Sequence, residues 1–153
     1  MPIRPATLTE ANALTALSLR SKAHWGYDAA FMAKAAPHLV LPPDLLAQGR
    51  VWVATSADGP VAGVMAISTP DSNRRADLVL LFVDPPAMGL GHGRALLRHA
   101  LATAGAEGAR HLRVLSDPHA RGFYIAHGAQ QIGKAPSDAI PGRDLPLLDW
   151  TLP

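Results

Sequence analysis

Between positions 76 and 104 the sequence passes from a strongly apolar run, Ala76 to Val83, through Asp84-Pro85-Pro86 and three glycines at alternate positions, Gly89, Gly91 and Gly93. It then enters a stretch in which Leu96, Leu97, Ala100, Leu101 and Ala104 recur at helical spacing. Prolines cannot continue a strand ladder, so the apolar run stops at Asp84, and Gly105 and Gly108 end the helix. His111 to Leu115 then reads as another strand. Strand, loop, helix and strand in that order make a parallel crossover, which limits the chain to a mixed α/β fold.

The flanks supply the other elements. Ile3 to Ala6 is a short strand, and Thr7-Leu8-Thr9-Glu10 is a capping box opening a helix with Leu14 and Leu17 on one face that stops near Gly26. Asp28 caps a second helix carrying Phe31, Met32 and Ala35, ended by Pro37, and Pro42-Pro43 leads a turn. Arg50 to Thr55 and Val61 to Ser68 form an antiparallel hairpin around Asp58-Gly59. Asp117-Pro118 starts a helix that runs to about His127 and is closed by Gly128. Two last strands, Gln130 to Gly133 and Leu145 to Leu152, flank a turn at Pro141-Gly142. The predicted order is β-α-α-β-β-β-α-β-α-β-β, a mainly antiparallel sheet with a central parallel crossover in one domain spanning 1–153.

Composition removes several classes of function. With no cysteine there is no disulfide framework, zinc-thiolate site or cysteine nucleophile. The seven histidines lack H-E-x-x-H or comparable ligand spacing, so no metal is expected. The 14 Lys and Arg leave a formal charge of only +2 and are scattered, unlike a nucleic-acid face. No signal-like opening and no apolar run of roughly 18 residues is present, and a soluble cytoplasmic protein is expected.

The alternating glycines let successive backbone N–H groups turn inward as an anion nest, and the following helix adds positive dipole at the same point. The P-loop pattern G-x-x-x-x-G-K-S/T is absent. A dinucleotide loop would need glycine where Arg94 or Leu96 stands, although Asp117 lies near the distance of a ribose-binding acid. A flexible loop that needs glycine only for its turn is the bland alternative.

Val83-x-Pro85 followed by Gly89-x-Gly91-x-Gly93-Arg94-x-Leu96-Leu97 resembles the acyl-CoA loop of the GNAT acetyltransferases, with Met88 where that family usually carries Gln or Arg. Downstream, Asp117-x-x-Ala120-x-x-Phe123-Tyr124-x-x-x-Gly128-Ala129 is similar to the family's Asn-x-x-Ala-x-x-Phe-Tyr-x-x-x-Gly-Phe segment, with Asp117 for Asn and Ala129 for Phe. The resemblance implies acetyl-CoA as cosubstrate and a primary amine as acceptor, in a small molecule or a peptide, with transfer by direct attack in a ternary complex. A non-catalytic coenzyme A sensor or interaction module of the same fold is the rival reading, and a homodimer is compatible with either.

The resemblance also assigns roles. The amides of Gly89, Leu90, Gly91, His92, Gly93 and Arg94 would hold the pyrophosphate, and the backbone of Leu81, Phe82 and Val83 would pair with the pantetheine arm. The N–H of Val83 would polarise the thioester carbonyl and Tyr124 would protonate the departing thiolate, unless Tyr124 simply packs. The family often uses a glutamate on the apolar strand as base, and Asp77 is the nearest match, with His24 as a second candidate. Asp117 reads equally as a helix cap or a cofactor contact. In Ser21-Lys22-Ala23-His24-Trp25-Gly26-Tyr27, Lys22 and His24 can complement a helix end while Trp25 packs, but the segment also resembles a bacterial GNAT subgroup in which it borders the acceptor site, placing Lys22, His24, Trp25 and Tyr27 there. Arg143, after Ile140-Pro141-Gly142, is either solvated or a grip on an acceptor carboxylate.

Overall fold

A computed structural model describes residues 2–56 and 59–153. The turn expected around Asp58 falls on the residues outside that range. Seven strands form one sheet: β1 (Ile3–Pro5), β2 (Val51–Thr55), β3 (Val61–Ile67), β4 (Arg75–Val83), β5 (His111–Leu115), β6 (Gln130–Pro136) and β7 (Asp144–Thr151), in the spatial order β1-β2-β3-β4-β5-β7-β6. Every neighbouring pair is antiparallel except β4 and β5. Among the described residues, five α-helices accompany it: α1 (Ala11–Ala23), α2 (Ala29–Ala35), α3 (Pro43–Ala47), α4 (His92–Ala106) and α5 (Arg121–Ala126).

The predicted sheet and crossover are present, and two helical details differ. The turn at Pro42-Pro43 is the start of the short helix α3, because proline is well placed at a first helical position, where its missing N–H costs nothing. The helix expected from Pro118 begins only at Arg121. Asp117 does not cap it; its carboxylate instead accepts the N–H of His119 at 2.8 Å and fixes a tight turn. Asp28 does cap α2, accepting the N–H of Phe31 at 2.8 Å, and Glu10 takes the N–H of Thr7 at 2.8 Å ahead of α1.

Each face of the sheet carries its own core. Met65, Ile67, Ala76 and Leu78 pack with Leu96, Leu97, Ala100 and Ala104 of α4 and with Tyr124 of α5. Val53, Val64 and Ala66 pack on the other face with Leu14 and Leu17 of α1. On β4 the alternation changes phase, because Leu78 faces Ile67 and Leu80 faces Ala66, which leaves Val79 unmatched as a bulge. Beyond it Leu81 joins the α4 side while Leu80 and Phe82 join the α1 side.

The bulge lies where β4 leaves its parallel neighbour. Only Arg75 to Asp77 pair with β5, through His111 to Arg113, whereas β5 stays with β7 as far as Leu115. The outer half of β4 therefore has β3 on one edge and no strand on the other. The N–H of Asp84 bonds to the carbonyl of Ala62, so antiparallel alternation gives Phe82 and Leu80 to β3 and turns the N–H groups of Leu81 and Val83 toward the open edge.

Close packing fixes the end of β4. A Cβ on Gly63 would sit 2.9 Å from Cδ1 of the fully buried Leu96 and 3.1 Å from the carbonyl oxygen of Phe82. Gly63→Ala should cost about 1–3 kcal/mol by overpacking, lowering the melting temperature by several degrees and loosening α4 on the sheet. An unchanged melting temperature would show that α4 is not seated this closely.

Candidate active site

The glycine loop delivers α4, fifteen residues long, with its N-terminus toward the open edge of β4. Gly91 is the N-cap and stands at φ 92°, a left-handed conformation that costs a side-chain-bearing residue roughly 1–2 kcal/mol. Having no side chain, it leaves the first amides of the helix uncapped, and the first intrahelical bond is made by the N–H of Ala95 to the carbonyl of Gly91. Such a terminus suits a phosphate.

Two cavities meet beside it. The first, of about 420 Å³, is lined by Leu81, Val83, Gly89, Gly91, His92, Gly93 and Arg94, with Trp25, His119, Ala120, Phe123 and Tyr124 opposite. The second, of about 400 Å³, opens between the separating strands β4 and β5 and reaches Lys22, Phe31, Asp117 and Arg143. They share Trp25, Leu81, Ala120 and Tyr124. The loop glycines line one cavity and Lys22 and Arg143 the other, with Trp25 and Tyr124 at their junction.

Tyr124 is 5% exposed and packs edge-on against Trp150 and Phe123. Burial, reinforced by the charge of Asp117, pushes its phenol well above the ordinary tyrosine range, so it remains a proton donor throughout the neutral range.

Asp117 is the hub of the second cavity. It accepts Lys22 Nζ at 2.7 Å, the Tyr27 hydroxyl at 2.8 Å and His119 Nδ1 at 3.0 Å, and Arg143 Nη2 stands at 4.0 Å while donating to the Tyr27 hydroxyl at 2.7 Å. Burial works against its charge, but Lys22, the N–H of His119 and Tyr27 overcome that and hold its pKa at about 2. Burial and the adjacent carboxylate raise the Tyr27 phenol, against an opposing pull from Arg143. Tyr27 stacks on Phe31 with ring centres 3.9 Å apart, and the Arg143 guanidinium lies 4.9 Å from the centre of Phe31, so Arg143 is a packed wall residue rather than a solvated one.

Other sequence candidates are placed apart. Asp77 is exposed on β4 beside Arg75 and Arg113, at the point where β4 and β5 still pair, and lines neither of the two joined cavities. His24 is exposed and outside both. Leu90 is 62% exposed and is not among the residues of the cofactor-side lining, while Phe82 lines the second cavity rather than the first. The sequence reading passed over His119, an unspecified position inside the Asp117–Ala120 spacing; its neighbourhood exists only once Trp25 and Tyr27 fold against it. Among the described residues no group of three or more His, Cys, Asp or Glu could hold a metal, and no helix is long and apolar enough to cross a membrane.

Residues 47–128, more than half of the chain, match the family model of the acetyltransferase (GNAT) domain. The chain belongs to the GNAT acetyltransferase family. The streptothricin acetyltransferase of Streptomyces lavendulae is 42% identical over 66 residues, covering 43% of this chain and 35% of that protein, so the match spans about a third of that relative. The GCN5-related N-acetyltransferase of Rhodopseudomonas palustris, described as an aminotransferase of class II, superposes with a TM-score of 0.78 at 23% identity over 99% of this chain and 95% of its own. The paia N-acetyltransferase of Thermoplasma acidophilum, solved with coenzyme A, superposes with a TM-score of 0.75 at 16% identity over 98% of each chain. These two solved structures match the fold, including the crossover around the glycine loop of this GNAT chain.

The depressed Asp117 carboxylate has a sign. Its folded value lies below its unfolded one, so the stability it contributes, about 2 kcal/mol, is complete above about pH 5 and is lost as pH falls through about 2. Glu10, held at about 2 chiefly by its hydrogen bond to Arg4, titrates in the same window, so the difference between parent and Asp117→Asn is the readout. Urea unfolding at pH 6 and pH 2.5 should find the variant weaker at pH 6 and its deficit clearly smaller at pH 2.5. An equal deficit at both values would remove the charge from the explanation.

Proposed function

We propose that this GNAT protein transfers the acetyl group of acetyl-CoA to a primary amine by direct attack. The observation that carries this reading is the meeting of the two cavities at Leu81, Ala120, Trp25 and Tyr124. One cavity suits a pyrophosphate and its pantetheine arm, and the other offers a walled space to an acceptor.

The cosubstrate would seat its pyrophosphate on the amides around Gly91 to Arg94 and run its arm along the open edge of β4, where Leu81 and Val83 present backbone N–H groups. Alternation gives both residues an outward N–H, but only Leu81 reaches both cavities, so its amide is the better placed of the two to polarise the thioester carbonyl. Val83, deeper toward the glycines, would hold the arm. Tyr124 would give its proton to the departing thiolate. An amine in a small molecule as acceptor is supported by the name of the Streptomyces relative, within the third of that protein the chain matches.

With no cysteine and no activated serine evident, there is no group to carry the acetyl in transit, and initial-rate lines at varied acetyl-CoA and amine should intersect. Tyr124→Phe removes one hydroxyl and little volume. Coenzyme A should still raise the melting temperature while turnover falls about 10²–10⁴-fold. Acyl donors with a more acidic thiol should suffer less. Turnover within about twofold of the parent, under half a kcal/mol, would make Tyr124 a packing residue.

A further inference from the structure

We infer that His119 is the general base that deprotonates the acceptor amine, held by Asp117 as its orienting carboxylate. This rests on the acetyl-transfer reading of the same site. Asp77 and His24 lie outside the joined cavities, whereas His119 lines the cofactor-side cavity with Leu81 and Tyr124, next to their junction.

The ring is fixed on several sides. Its Nδ1 is 3.0 Å from Asp117 Oδ1, and its own backbone N–H donates to the same oxygen at 2.8 Å. Trp25 stacks on it with ring centres 5.2 Å apart and planes 11° from parallel, and Tyr27 meets it edge-on at 5.3 Å. The Tyr27 hydroxyl, 3.1 Å from Nδ1, is itself donated to by Arg143. Lys22 on the far oxygen of Asp117 keeps the carboxylate charged, and Arg94 stands in the same cavity on α4. An ionised carboxylate at Nδ1 selects the tautomer with its proton there, which leaves the Nε2 lone pair free to accept. The side chain is 43% exposed, so a proton taken up can leave to solvent.

The steps balance. An ammonium R–NH₃⁺ gives one proton to His119 Nε2, and the neutral amine forms its bond to the thioester carbon. As the C–S bond breaks, the sulfur takes the Tyr124 proton and the new amide nitrogen returns one to Tyr124. His119 releases its proton to water, so each turnover yields one amide, one thiol and one proton.

His119→Gln tests this with two amines. For a primary alkylamine, protonated at neutral pH, kcat/KM at pH 7 should fall about 10²-fold or more, with KM for acetyl-CoA and the thermal shift by coenzyme A within twofold of the parent. With the base gone the rate should track the neutral fraction of the amine and keep climbing with pH beyond the parent's acid limb, and added imidazole should restore part of the rate. For an aromatic amine, already neutral at pH 7, the variant should lose less than about fivefold. Equal losses for both amines, or an unchanged pH profile, would overturn the assignment while leaving acetyl transfer standing. A parent that acetylates neither amine would overturn both.

Discussion

The site depends on one strand being paired on a single edge. β4 keeps its ladder to β3 as far as Val83 but leaves β5 after Asp77, and the Val79 bulge changes its phase just beyond that point. Unpaired backbone groups normally cost free energy or invite a partner strand. Here they line a cleft of molecular width, where an extended ligand arm can take the place of the missing strand. The same phase change sends Leu81 to the α4 side and Phe82 to the α1 side, so both cores hold this half-paired strand in place.

A second constraint is the charge on Asp117. It draws together Lys22 from the end of α1, Tyr27 from the loop that follows, His119 from its own turn and, through Tyr27, Arg143 from the β6–β7 turn. Segments from three parts of the chain, around 22–27, 117–119 and 143, thus share one half-buried anion. A neutral amide there could make some of these hydrogen bonds but could not balance two cations. Asp117 therefore belongs with Lys22 and Arg143 as one unit.

The crossover and the glycine loop could be read in the sequence because both are local: glycine alternation, proline stops and 3.6-residue spacing all act within a few residues. Asp28 was legible as a cap for the same reason. Asp117 reads equally as a cap, yet its partners lie about ninety residues away, and tertiary charges outweighed a local helix start. Asp77 is the nearest match to the glutamate the resemblance implies on that strand, but the point at which two strands part depends on register and bulging, which composition does not encode. His119 was not singled out for a related reason: Trp25 and Tyr27, which pack on its ring, approach only through the fold.

For the proposed acetyl transfer, the two joined cavities would have to bring a thioester and an amine together. Mass analysis of a panel of primary amines incubated with acetyl-CoA and the protein, with free thiol counted in parallel, tests it most directly. At least one N-acetylated product should form, in equal amount to the thiol released and far above hydrolysis without amine. Binding of coenzyme A with no acetylated product from any amine class would contradict it and leave the protein a coenzyme A sensor.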